Sequence, residues 1–361
     1  MRSNLQSKKR HQSRLELHRV IALNSSDRLW HFPVLAGLVV GICLGLGYYF
    51  DQPKSGNIAT MGALTILYFT HQSLEKRMVH MVFCAFAMTF CFLTGLIFSF
   101  SPDIGVASIG VIAFLAHLLS GYFSTPPPGN FFFIMVGCVA VSMPYDFNLV
   151  PERIGLFAMG SMLSVLLAFI YSVFISKKVV DLKREPFRKI RYERFYESLL
   201  IGVAIVVALS IGFVLDNNSP YWTAISTLAV VQGRNLLHTR ERNIQRIMGT
   251  FLGVGLTWLI LLTQPSPLYS ILIIASLQFV IELLIVRNYL YAAIFITPLT
   301  ILLAESSLGI SVNVNTLMVS RLLDSLIGSL LGLLVGVLIH HDGLRKRAMV
   351  LFRFFYHKTR R

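Results

Sequence analysis

Apolar runs long enough to cross a bilayer recur along the chain, separated by short polar breaks, and no other feature limits its fold as strongly. A helix needs about 20 residues to cross the hydrocarbon core. Eight runs reach or approach that length, at 33–50, 78–100, 104–123, 154–176, 197–215, 247–263, 268–286 and 314–340. Four shorter ones lie between them, at 57–70, 131–144, 219–233 and 289–304. These are too apolar for surface loops, and the polar breaks alternate in charge only if each short run also crosses. The expectation is an all-α, polytopic membrane protein with twelve transmembrane helices.

Charge sets the orientation, because cytoplasmic loops collect Lys and Arg. With the N-terminus inside, 29 of the 32 Lys and Arg residues fall in cytoplasmic segments, leaving only Lys54, Arg153 and Arg321. Both termini are then cytoplasmic and the location is a bacterial inner membrane. The net charge of +15 does not indicate a nucleic-acid partner, since the basic residues are scattered in short clusters between spans. The polar, basic first 31 residues lack the apolar stretch of a cleavable signal peptide. Cys43, Cys84, Cys91 and Cys138 sit inside apolar runs without ligand spacing, so neither a metal nor a disulfide is expected. No cofactor motif and no catalytic constellation is present, and an enzyme is not expected.

The chain also resembles itself. Arg153 opens R-x6-GS-x-L, and Arg321 opens the same pattern 168 residues later. At an offset of 165, His117 falls on Glu282 and Arg77 on Arg242. Six spans per copy is an even number, so the two copies are parallel repeats about an axis along the membrane normal. The expected divisions are a basic segment 1–32, a first six-helix repeat 33–176, a basic linker 177–196, a second repeat 197–341 and a basic, aromatic tail 342–361. Linker and tail read as interfacial anchors on anionic lipid of the cytoplasmic leaflet.

Ionisable side chains inside spans are costly in hydrocarbon and are therefore the candidates for function. Arg321 has Asp324 at i+3 on its own face, whereas its mate Arg153 has Leu156 there. The two arginines either present bidentate donors to a carboxylate or snorkel and lock helices. Glu282 and His117 are candidates for proton coupling; alternatively Glu282 pairs with Arg287 and His117 makes a buried hydrogen bond. The short spans, at matching places in both halves, are where a transport site is expected. Tyr221 and Trp222 open one of them, and Thr297 precedes Pro298 in another. The two aromatics fit either a ring-shaped ligand or the interfacial belt.

Three stretches carry a resemblance. PYWTAISTLAVVQGRNLLHTRERNIQRIMGTFLGVGL (220–256), RNYLYAAIFITPLTILL (287–303) and RLLDSLIGSLLGLLVG (321–336) together resemble the membrane domain of fusaric acid resistance proteins and aromatic acid exporters. The plant aluminium-activated malate transporters are more distant. The first half shares only the repeat, having Met81 and Cys84 where the basic and glycine pattern of 242–250 continues. The resemblance implies an exporter of aromatic or other weak organic acid anions driven by the proton gradient, with Arg242 and Arg246 attracting the anion or holding a cytoplasmic gate. A passive anion channel and a non-transporting membrane scaffold are the alternatives. Oligomeric state is left open, a homo-oligomer included.

Overall fold

The computed structural model describes residues 19–26, 28–175, 192–215, 219–308, 314–341 and 343. Of the linker and tail anchors expected at 177–196 and 342–361, only residues 192–196, at the start of a helix, and 343 are among the described residues. Among those residues every regular element is a helix. In chain order they are α1 (Phe32–Tyr49), α2 (Pro53–Ala63), α3 (Leu74–Phe98), α4 (Pro102–Tyr122), α5 (Phe131–Val141), α6 (Val150–Ile175), α7 (Tyr192–Val214), α8 (Tyr221–Val231), α9 (Leu236–Leu262), α10 (Pro267–Leu284), α11 (Tyr289–Leu308) and α12 (Val314–His340). A 3-10 turn, Leu64–Tyr68, extends α2.

The helix starts follow backbone chemistry. Pro33, Pro53, Pro102 and Pro267 stand in first turns, where an N–H has no intrahelical acceptor anyway. Asn235 caps α9 by accepting from the His238 N–H at 2.8 Å. That helix begins eleven residues before its apolar run. In its first three turns the polar residues Thr239, Asn243, Gln245 and Arg246 are buried against protein.

Among the described residues, eight helices are long and apolar enough to cross a membrane: α1, α3, α4, α6, α7, α9, α10 and α12. Their outward faces carry large apolar side chains, such as Phe83, Phe86 and Phe90 on α3 and Phe251, Trp258 and Leu262 on α9. Such a surface needs lipid as its solvent. The remaining helices α2, α5, α8 and α11 are shorter or less apolar and lie inward.

Packing partners recur at a spacing of six helices. Helix α2 lies on α6 and α8 on α12; α3 lies on α5 and α9 on α11; α1 touches α2 and α7 touches α8. Two seams join the halves, α4 against α7 and α10 against α1. The tightest crossings need glycine. A Cβ on Gly160 of α6 would stand 1.9 Å from the Ala59 carbonyl oxygen, and one on Gly328 of α12 would stand 2.3 Å from that of Thr223. Close backbone approach of this kind, with Ser161 Oγ donating to the Gly62 carbonyl at 3.2 Å and Thr227 Oγ1 to that of Gly328 at 3.0 Å, is how helices associate where hydrophobic burial gives no advantage.

Candidate functional site

A cavity of about 1990 Å³ opens between the halves. All four inward helices contribute to its wall, for example Asn57 and Met61 from α2, Phe132 and Met135 from α5, Tyr221 and Trp222 from α8, and Tyr289 and Thr300 from α11. The lining extends from Lys54 and Arg153 at one end to Arg234, His238 and His340 at the other. The short apolar runs singled out in the sequence are therefore its walls.

The densest polar group comes from α8, α9 and the start of α11. Arg242 donates to the Ala229 carbonyl at 2.9 Å and to Gln232 Oε1 at 3.3 Å, and its guanidinium lies 4.9 Å from the centre of the Tyr289 ring. The C-terminal carbonyls of a short helix carry partial negative charge, so they hold a cation well. One turn on, Arg246 donates to the Tyr289 hydroxyl at 3.1 Å and to Ser226 Oγ at 3.0 Å. Both arginines line the cavity, and the Nε of each has no hydrogen-bond partner. Among the described residues no carboxylate forms an ion pair with either. Each guanidinium therefore retains one unsatisfied donor, on a buried nitrogen.

The first half answers differently. Arg77 occupies the position of Arg242 and is 1% exposed, donating to the carbonyls of Thr70 and Gln72 at 2.6 Å each and to Ser172 Oγ at 2.7 Å. Met81, fully buried, stands where Arg246 would be. Arg77 is outside the lining, with each of its three nitrogens bonded within its own half.

The structure separates Arg153 from Arg321. Arg153 reaches the cavity at the start of α6, donating to the Pro144 carbonyl at 2.8 Å. Arg321 is 3% exposed and stands behind Trp222, its guanidinium 3.3 Å from the ring centre. None of its nitrogens has a hydrogen-bond partner. Asp324 is buried beside it and accepts from Thr223 Oγ1 at 2.8 Å. Tyr221 and Trp222 line the cavity with ring centres 5.0 Å apart. Thr297 does not: it is buried in the α9–α11 contact, donating to the Ala293 carbonyl at 3.0 Å.

Glu282 and His117 both line the cavity, one at each seam. The partner of Glu282 is Arg28, at 2.7 Å, rather than Arg287. His117 has its Nδ1 3.3 Å from the Asn130 amide and its Nε2 4.0 Å from Glu197. Sequence reasoning missed Arg28, which is 254 residues from Glu282, and Tyr289, which ties both cavity arginines together. Tyr289 did carry a signal, since an aromatic residue opens α11 as another opens α8.

Residues 205–335 match the fusaric acid resistance protein-like family. That stretch contains Trp222, Arg242, Arg246, Glu282 and Arg321. Over 126 residues, 35% of the chain, the sequence is 36% identical to the uncharacterized membrane protein YvaC of Bacillus subtilis (strain 168), and this match spans 19% of that relative's length. No solved structure matches the chain.

Proposed function

With a fusaric acid resistance-like segment forming most of the second half of a membrane protein, we propose that the chain is a secondary transporter that exports aromatic or other weak organic acid anions. One observation carries the reading: Arg242 and Arg246 line a large cavity between the halves and, among the described residues, neither is ion-paired with a carboxylate, while Tyr221, Trp222 and Tyr289 line the same cavity. The arginines would replace the water lost by a carboxylate and the rings would cover its apolar body. On this reading all twelve helices cross the membrane as two parallel repeats, 33–176 and 197–341. The recurrence of packing partners every sixth helix and the paired seams support it. An inner-membrane location with both termini cytoplasmic draws its support from the basic loops, and puts Arg242 and Arg246 at the inner end of the cavity. Arg153 then stands at the outer end, and Glu282 and His117 are the groups assigned to proton coupling.

Arg321 is assigned to the anion through Trp222. An anion that displaces the indole would gain a guanidinium whose hydrogen bonds are unmade. Arg321→Ala is expected to lower efflux of a hydroxybenzoate at least tenfold at equal membrane abundance, equivalent to about 1.4 kcal/mol of lost interaction. Unchanged efflux and acid tolerance would remove Arg321 from the site.

The cavity lining reaches residues near both ends of the protein, which favours a passive anion path as the second reading. Inverted vesicles separate the two. Uptake that collapses when the proton gradient is dissipated is the expected result; uptake indifferent to it, with weakly saturating current, identifies a channel.

A further inference from the structure

The polypeptide ahead of α1 crosses the α10–α1 seam and is clasped by the second half. Val20 is buried, and its carbonyl accepts from Gln245 Nε2 at 3.0 Å and from Asn288 Nδ2 at 2.8 Å. The Asn288 amide also donates to the Ala22 carbonyl at 2.9 Å, and the Asn24 N–H donates to the Arg287 carbonyl at 3.1 Å. Arg28 closes the clasp. Its Nη1 lies 2.7 Å from Glu282 Oε2 and 3.2 Å from the Glu282 carbonyl oxygen, and its guanidinium stacks 4.5 Å over Phe32.

Two properties mark this as more than a packed terminus. The clasping residues Gln245, Glu282 and Asn288 are buried polar groups, 4–7% exposed, on three successive parts of the second half, and each spends a hydrogen bond on this segment. A buried polar group without a partner is costly. Here, however, Gln245, Glu282 and Asn288 themselves line the cavity, so water can take over the bonds when the segment leaves. The segment lies at the arginines: Arg19, Ala22, Asn24 and Arg28 line the same cavity, and Gln245 is the residue next to Arg246. The other seam offers a looser counterpart, where His117 meets Glu197 of α7 at 4.0 Å.

We infer that residues 19–26 together with Arg28 form a releasable strap across the cavity mouth nearest Arg242 and Arg246, clasped by Gln245, Glu282 and Asn288. Its release exposes the arginines, and on the transport reading, which this deepens, it admits the anion. The strap is a two-state element that a ligand bound at the arginines biases only by binding the open state better.

A cysteine reporter tests the strap without any cargo. Ala229, on α8, lines the cavity and is 2% exposed, and the four native cysteines are buried. Full-length Ala229→Cys protein in inverted membrane vesicles is labelled with a membrane-impermeant maleimide. Breaking the clasp with Glu282→Gln and Asn288→Ala should speed labelling at least tenfold. The exchange Arg28→Glu with Glu282→Arg should restore the slow rate. If the Asn288 variant fails to reach the membrane, Arg28→Gln alone leaves the second half unaltered and should speed labelling at least threefold. One common labelling rate across these variants overturns the strap, whether or not the vesicles transport. Accelerated labelling in a protein that moves no organic anion keeps the strap and overturns the exporter reading.

Discussion

Arg246→Met is expected to lower organic-anion efflux more than tenfold while leaving membrane abundance unchanged. The substitution places at 246 the residue that stands at the aligned position 81, where methionine is fully buried in the first half. What is lost is a cationic side chain of the cavity lining, with its hydrogen bonds to Tyr289 and Ser226. A hydrogen bond to a charged group contributes roughly 1.5–3 kcal/mol, and each 1.4 kcal/mol or so is a decade in affinity. Arg246→Lys should recover only part of the activity, because one ammonium lacks the planar fork that meets Tyr289 and Ser226 together. The mirror experiment sharpens the assignment. Arg77→Met removes the donors to Thr70, Gln72 and Ser172 without touching the cavity wall. It should lower the melting temperature in detergent and the yield of monodisperse protein. Initial rates in vesicles and fluorescence-detected size exclusion measure the two effects. Equal transport loss in both variants at matched abundance would contradict the division of labour between the halves.

Gly160→Leu and Gly328→Leu should each abolish accumulation of folded protein. The two glycines stand 168 residues apart in the shared GS motif, and each presses on the backbone of a short helix, α2 or α8. Overpacking a filled interior costs about 1–3 kcal/mol when side chains can yield. Here the opposing atoms are carbonyl oxygens at 1.9 and 2.3 Å, so whole helices must separate. Separation would also break the hydrogen bonds of Ser161 and Thr227 across the same contacts. Gly155→Ala is the control, since a Cβ there meets nothing within 4 Å. Its yield should match the parent chain.

Hydropathy placed the long helices closely: the run at 104–123 is α4, Pro102–Tyr122, and that at 268–286 is α10, Pro267–Leu284. It failed at α9, because a window average scores Arg242 and Arg246 as if they faced water, while the Ala229 carbonyl and the Tyr289 hydroxyl accept from them inside the protein. Membership of the cavity wall was legible for the short spans, whose length is incompatible with lipid exposure, and so for Tyr221 and Trp222. The depth of Arg321 was not. Its position along α12 follows from the sequence, but its concealment by Trp222 depends on how Gly328 and Gly332 let α12 cross α8, about one hundred positions away. The Arg28–Glu282 pair was invisible for the same reason. Nothing local in either segment announces a partner 254 residues off.

The brevity of the inward helices α2, α5 and α8 bears on the electrical work of the proposed export. Eleven-residue elements such as α5 and α8 rise about 16 Å, against a hydrocarbon layer about 30 Å thick. Where such elements wall an aqueous vestibule, conducting solution reaches toward the midplane and the voltage drop is compressed into the remaining septum. A monovalent anion leaving the cytoplasm through that septum would collect nearly the full inside-negative driving force, about 2.3 kcal/mol per 100 mV, over a fraction of the bilayer. Its transit should therefore depend on membrane potential more steeply at the septum than at either vestibule.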